Sequence, residues 1–364
     1  MKVTVAAYIY PGWHHCPERD KSFTPGWSEW DLVYDARPWF EGHRQPNTPL
    51  LGRYDDSLPG TAETQVGLAR EHGVDLFLYA LFWSRGKRVL SAALDRGFLG
   101  SASGQRFPFA LMWANRMPRG VLPVKSARGP LIDPCRLVHT DPDDFMAFIR
   151  FIAESYFGRD NYFRVRGAPY LSIFDTSFFI RQLGPGLAAR TVADAKRWLL
   201  GNGYGGLHLA AIDPAERFSR CLQRIGFDSV THYVLLPEWK GPWQQDYLGC
   251  ARERSRQWPL FKQRTGLAYF PSVSPGWDAT ARAAAFGGKP KRRYPWSPVV
   301  TGSCPEHFAF LLQRASAYVQ GAEPDPMVFI ASWNEWSEGH YLEPDGRFGH
   351  GWLQAVQRVA GGKG

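Results

Sequence analysis

The stretch Leu76-Phe77-Leu78-Tyr79-Ala80-Leu81-Phe82-Trp83 is an unbroken apolar run of strand length, and the segment before it, Ala62 to His72, carries helical spacing and stops at Gly73. An apolar run without polar alternation is what a strand covered on both faces requires, and strands covered on both faces by helices form parallel sheets. Similar runs recur at Val3 to Tyr10, Phe107 to Asn115, Tyr170 to Asp175, Leu207 to Ile212, Ser229 to Val234, Ala268 to Ser274 and Val328 to Trp333. Helical spacing fills the intervals at Asp143 to Tyr156, Thr191 to Leu200, Ala215 to Ile225, Cys250 to Arg264 and Glu306 to Gln320. Thr140-Asp141-Pro142 has the residue types of a helix start. Strand then helix, repeated to eight strands, predicts a (β/α)8 barrel, and 364 residues suit such a barrel at about 45 residues per unit. No repeat or low-complexity linker divides the chain, so it reads as a single catalytic domain over residues 1–364, with Gly361 to Gly364 as a frayed tail. Pro11 to Pro59 is a long first loop rich in Trp, Pro and Gly, expected to form a cleft wall.

Composition narrows the partners. Aromatic residues make up 15% of the chain, with 15 Trp, and many lie in Pro- and Gly-rich stretches, which favours a saccharide whose C–H faces stack on rings. The formal charge is +9, with its densest run at Lys289, Lys291, Arg292 and Arg293. That run reads as a solvated loop, or as a seat for an anionic glycan or a nucleotide-sugar phosphate. No recognition helix, zinc spacing or RNA-binding aromatic motif accompanies it, so nucleic acid is not expected. Five widely spaced cysteines, Cys16, Cys135, Cys221, Cys250 and Cys304, argue against a disulfide framework. The early strand leaves no room for a signal peptide and no apolar run spans a membrane, so the expected location is cytoplasmic. No cofactor is expected. His14, His15 and His43 lack metal-ligand spacing, so no metal is expected either.

In such a barrel the chemistry sits at the C-terminal ends of the strands. The most informative end is Ser332-Trp333-Asn334-Glu335-Trp336-Ser337-Glu338-Gly339, where an apolar strand runs into an amide, two carboxylates and two indoles. Two acids three apart on a surface helix would mean nothing, but here they follow a buried strand and are broken by Gly339. Glycosidic cleavage needs one group to protonate the leaving oxygen and another to act as nucleophile or base, roles that Glu335 and Glu338 can divide if their environments push their pKa values apart. Candidate sugar-binding residues are Tyr8, Tyr10, His43, Trp83, Trp113, Asn115, His232, Tyr233, Trp277 and Asp278, together with Trp333, Asn334 and Trp336 of the motif. Glu343 and Asp345 follow the turn and read as groups supporting the pair or as plain loop acids.

The motifs Tyr8-Ile9-Tyr10-Pro11, Gly26-Trp27-Ser28-Glu29-Trp30, Gly42-His43-Arg44-Gln45-Pro46, Trp113-Ala114-Asn115, Pro275-Gly276-Trp277-Asp278 and Trp333 to Gly339 resemble, in this order, those of the WbsX-like proteins and, through them, the endo-α-mannosidase glycoside hydrolases (glycoside hydrolase family 99-like). The resemblance implies a (β/α)8 barrel. It also implies a retaining mechanism through a 1,2-anhydro sugar, with Glu335 as the base on the sugar's 2-hydroxyl and Glu338 as general acid and then base. WbsX-like proteins accompany polysaccharide biosynthesis and are described as glycosyltransferases, so a bacterial O-antigen or capsule glycosyltransferase is the alternative, and a non-catalytic glycan-binding protein a third. The chain departs from the family's usual shape at Pro11-Gly12-Trp13-His14-His15 and at Met117 to Pro134. The expected partner is an oligosaccharide or polysaccharide, with sugar, linkage and oligomeric state left open.

Overall fold

The computed structural model describes residues 2–20, 25–115 and 140–361. Its sheet runs through β1 (Thr4–Ile9), β2 (Leu76–Ser84), β3 (Phe109–Trp113), β4 (Ala168–Ile173), β5 (His208–Ile212) and β6 (Ser229–Thr231), each paired in parallel with the next. The seventh strand, β7, is split into Ala268–Tyr269 and Ser272–Val273, and β8 (Met327–Ile330) follows. The first half of β7 pairs with β6 and the second half with β8, which itself pairs with β1. Both ends of the strand order therefore lie on one chain run, and the sheet closes into a (β/α)8 barrel. The change of partner falls at Phe270-Pro271. Phe270 N–H reaches Val230 O at 3.0 Å on one side, while Pro271 O accepts from Phe329 N–H at 2.9 Å on the other. Proline has no N–H to leave unpaired at the switch.

All eight expected strands form, and Leu76 to Leu81 of β2 are buried at nearly every position, as a strand covered on both faces must be. The helices α1 (Pro59–Glu71), α2 (Pro142–Ile152), α3 (Pro185–Gly201), α4 (Tyr247–Thr265), α5 (Pro305–Ala322) and α6 (Gly351–Ala360) lie between or after them. The expected start of α2 is present, with the Asp141 carboxylate accepting Asp144 N–H at 2.8 Å. A capping bond of this kind contributes about 1 kcal/mol. Two expectations need correction. Ala215 to Ile225 is not one helix but a 3-10 turn, Glu216–Cys221, followed by a single helical turn, Leu222–Ile225. Asp143 to Tyr156 changes from α2 into a wider π turn at Ala153–Phe157. The stretch Met117 to Pro134 and Cys135 lie outside the described residues. Among the described residues no helix is long and apolar enough to cross a membrane.

Candidate active site

The end of β8 continues toward β1 without forming regular ladder. Trp333 N–H reaches Tyr8 O at 2.8 Å, and then the Asn334 side chain takes over, accepting Tyr10 N–H at 2.8 Å and donating to Tyr10 O at 3.1 Å. An amide has the donor and acceptor needed to copy a backbone ladder rung, and that is the work Asn334 does here. The chain next makes a tight hairpin. Asn334–Glu335 pairs antiparallel with His340–Tyr341, with the turn Trp336–Glu338 and Gly339 between them. Ser332 fixes its base, accepting Glu335 N–H at 2.8 Å and donating to His340 O at 2.9 Å.

Gly339 is required at the tip. Its φ is +67°, and an added Cβ would stand 2.9 Å from the Asp278 backbone N and O. Gly339→Ala combines left-handed strain with a clash against main chain, and is expected to destabilise the fold by about 2 kcal/mol or more. Urea unfolding checks this, and an unchanged midpoint would refute the packing described.

This hairpin turns both carboxylates toward a single guanidinium. Arg282 Nη2 lies 2.9 Å from Glu335 Oε1, Arg282 Nη1 bonds Glu338 Oε1, and Nε donates to Ser337 Oγ at 3.0 Å. Nη2 also reaches Glu29 Oε1 at 3.0 Å. Glu29, from the long first loop, is fully buried; it accepts from Ser337 Oγ at 2.6 Å, from Arg19 at 2.7 Å and from Tyr10 OH. Tyr294 OH donates to Glu338 at 2.7 Å, His340 Nε2 stands 3.3 Å from the other Glu338 oxygen, and Tyr233 OH lies 3.4 Å from Glu335. Three carboxylates and two arginines thus share one buried cluster.

Their environments separate the acids. Burial pushes the Glu335 carboxyl well above the usual range; Arg282 opposes this in part, and the neighbouring Glu338 and Glu29 push it further up. Burial also acts to raise Glu338, but the Arg282 guanidinium and the bonds from His340 and Tyr294 overcome it and hold Glu338 low. Glu29 is likewise held low by Arg19 and Arg282 against its burial. Glu338, held down to about 2, is therefore charged at neutral pH, while Glu335 is biased toward its protonated form.

Other expected residues take different positions. Tyr10 and Tyr233 touch the carboxylate cluster, and Trp277 stacks on His340 with centroids 5.5 Å apart. His43 and Asp278 meet each other: Asp278 accepts from His43 Nε2 and Gln45 Nε2 at 2.8 Å each and from Thr280 Oγ1 at 2.6 Å, so this group clamps the first loop beside the hairpin. Tyr8 is fully buried, its ring 5.0 Å from Tyr233, and His232 turns to Tyr269 OH at 3.0 Å, its pKa lowered by burial to about 3. Asn115 closes on the backbone of Asp175, at 2.7 and 3.0 Å. Trp83 donates to Asp144 at 2.9 Å, and Trp113 stacks on Phe148, both against α2. Trp333 and Trp336 turn their indole N–H groups away from Glu335 to Glu343, at 3.0 and 2.7 Å.

Glu343 also accepts from Tyr54 OH and Gln65 Nε2 at 2.8 Å each, which makes it the anchor of both indoles flanking Glu335. Asp345 does similar work, accepting from Tyr341 OH and Trp352 Nε1 at 3.0 Å. Burial pushes the Glu343 carboxyl from 4.5 up to about 7 despite its donors. A raised folded-state pKa means the protein takes up a proton on folding, so this contribution is present at low pH and is lost as pH rises from 4.5 to about 7. Relative to Glu343→Gln, which does not titrate, the wild type should lose about 3 kcal/mol across that window. Chemical unfolding of both proteins at pH 5 and pH 7.5 measures it, and a pH-independent difference would be the contrary result.

Sequence reading did not single out Arg282, Tyr294, Arg19, Ser337 or His340, and it quoted Glu29 only within a motif. The signal for Arg282 was available: it is the lone cation in Ala279-Thr280-Ala281-Arg282-Ala283-Ala284-Ala285. A long charged side chain among alanines has room to reach inward.

Fold and site define a closed parallel (β/α)8 barrel with an acid pair at the end of its eighth strand. The chain belongs to the family described as glycosyltransferase WbsX, whose model matches residues 5–356. Uncharacterized protein WxcX from two strains of Xanthomonas campestris pv. campestris is 30% identical over 387 residues, covering 99% of this chain and 50% of the relative. The chain thus spans about half the length of the curated relatives it matches. Among solved structures, the GH99 endo-alpha-mannosidase from Bacteroides thetaiotaomicron, in complex with BIS-TRIS-propane, has a TM-score of 0.63 at 15% identity, covering 98% of this chain and 96% of its own. A glycoside hydrolase-like protein has a TM-score of 0.61 at 16% identity, covering 98% and 94%. At these identities the likeness is one of fold.

Proposed function

We propose that this protein is a retaining glycoside hydrolase that cleaves a glycosidic bond in an oligosaccharide or polysaccharide, with Glu335 and Glu338 carrying the proton transfers. One observation carries the reading: two buried carboxylates on one hairpin at the barrel mouth, one pushed up in pKa and the other held down, which is the separation that acid and base roles need. The resemblance assigns the base to Glu335 and the acid to Glu338, opposite to the bias that burial and Arg282 give the two groups. On that assignment, sugar binding must move the proton from Glu335 to Glu338; Glu335 then takes the 2-hydroxyl proton as that oxygen attacks C1, Glu338 protonates the departing glycosidic oxygen, and water opens the 1,2-anhydro sugar with net retention.

The family description supports a second reading, a glycosyltransferase of bacterial polysaccharide synthesis. The experiment that separates them is incubation with α-mannan, capsule and O-antigen oligosaccharides without any nucleotide sugar, with the anomer of the released sugar followed by NMR. Release with retained configuration supports the hydrolase. Intact glycans, with transfer appearing only when an activated donor is added, would overturn it in favour of the transferase.

A further inference from the structure

We propose that the open cavity beside Tyr294 is a subsite for a negatively charged sugar unit, so that the molecule worked on at Glu335 and Glu338 is anionic; this deepens the functional reading above and rests on it. The cavity has a volume of about 440 Å3 and is lined by Trp239, Lys240, Trp243, Arg292, Arg293 and Tyr294 among others. That is within the range of small-ligand sites, about 300–1,000 Å3. A basic run on its own is a solvated loop. Here the run from Arg292 to Tyr294 closes against a separate segment, Trp239 to Trp243, and the two together make a concave wall of alternating indole and cation. Trp239 is 51% exposed, a large apolar face that packing leaves open to a sugar ring. Among the described residues neither Lys240 nor Arg292 is in an ion pair, whereas the adjacent acid, Glu238, is taken by Arg254 at 2.8 Å. The cavity therefore keeps a positive field, in a chain whose formal charge is +9.

Two contact routes connect this cavity to the carboxylates. Tyr294 lines it and also donates to Glu338 at 2.7 Å. Trp239 packs edge-on against Trp277 at 4.9 Å, Trp277 stacks on His340, and His340 reaches Glu338 at 3.3 Å. A saccharide with one ring against Trp239 and its charge on Arg292 would place the adjoining unit beside Glu338. An arginine fork binds a carboxylate or a phosphate equally well, so the charge can be an acidic sugar's carboxylate or the diphosphate of an activated donor.

Calorimetric binding on the full chain tests this, using a glucuronate-containing tetrasaccharide, its carboxyl-reduced neutral counterpart and uridine diphosphate. At least one anionic probe is expected to bind about tenfold or more tightly than the neutral one, and that preference should vanish in the Lys240→Glu, Arg292→Glu double variant, whose changes lie on exposed side chains. Preference for the uronate places the charge on the polymer, and preference for the diphosphate places it on a donor; either supports the subsite. Neutral and anionic probes binding alike, or a preference that survives charge reversal, overturns it. The same titration on Glu335→Gln separates the two readings: a chain that binds the anionic probe while the wild type neither cleaves nor transfers sinks the proposed function and leaves the subsite standing.

Discussion

Glu335→Gln and Glu338→Gln are each expected to lower turnover by about a hundred- to ten-thousand-fold, the range that a positioned proton donor or acceptor contributes. An amide keeps the shape of the side chain but can neither give up nor take the proton. The two variants should differ in stability. Burial biases Glu335 toward its neutral form, and a glutamine carbonyl can still accept from Arg282 and from Ser337 Oγ, now 2.9 and 3.2 Å away. Its unfolding midpoint should therefore stay close to that of the wild type. Glu338→Gln removes an anion that Arg282, Tyr294 and His340 all address, and leaves part of a buried positive charge unmatched. That costs about 3 kcal/mol or more. Rate measurements with denaturant unfolding on the same samples check both halves. A Glu335→Gln enzyme with wild-type rates would remove Glu335 from the chemistry.

Arg282→Met is expected to have the largest effect on the fold. The guanidinium is the shared partner of Glu29, Glu335 and Glu338, all nearly inaccessible to water, and methionine fills much of its volume with no charge. Removing one partner of a buried ion cluster costs about 3–5 kcal/mol. The loss should grow with pH. In the wild type Glu29 and Glu338 are held below their unfolded pKa of 4.5, so they contribute stability that is present above pH 4.5 and disappears as pH falls below it. Without Arg282, burial dominates and keeps Glu338 protonated, so the variant loses stability as pH rises. Urea titrations at pH 5 and pH 8 should show the larger deficit at pH 8. A deficit that is small and equal at both would mean that the carboxylates do not depend on Arg282.

The architecture was legible because barrel strands and their helices advertise themselves locally. Leu76 to Trp83 has no polar residue to misplace, and its preceding helix ends where Gly73 says it should. Ala215 to Ile225 misled because its apolar spacing suits a helix, while the chain there packs as two short turns. At the site, Glu335 and Glu338 stood out because polar residues directly after a buried strand have few other reasons to be there. The cluster around them did not, because Glu29 and Arg282 come from distant loops and meet only in the folded molecule. For Trp333 and Trp336 the sequence did not show where the indole N–H groups go: both are spent on Glu343, which comes from beyond the hairpin.

The rung that Asn334 makes with Tyr10 joins positions 324 residues apart. Arg282 meets Glu29 across a separation of 253 residues. Contacts of such separation are slow to form, since the entropy of bringing the ends together must be met before they contribute. On a ribosome, the residues that complete this hairpin emerge only after all eight strands have been made. The barrel strands are therefore all in place in the chain before the acid pair exists, and the pair is joined to Glu29 and Arg282 only once Glu338 has been made.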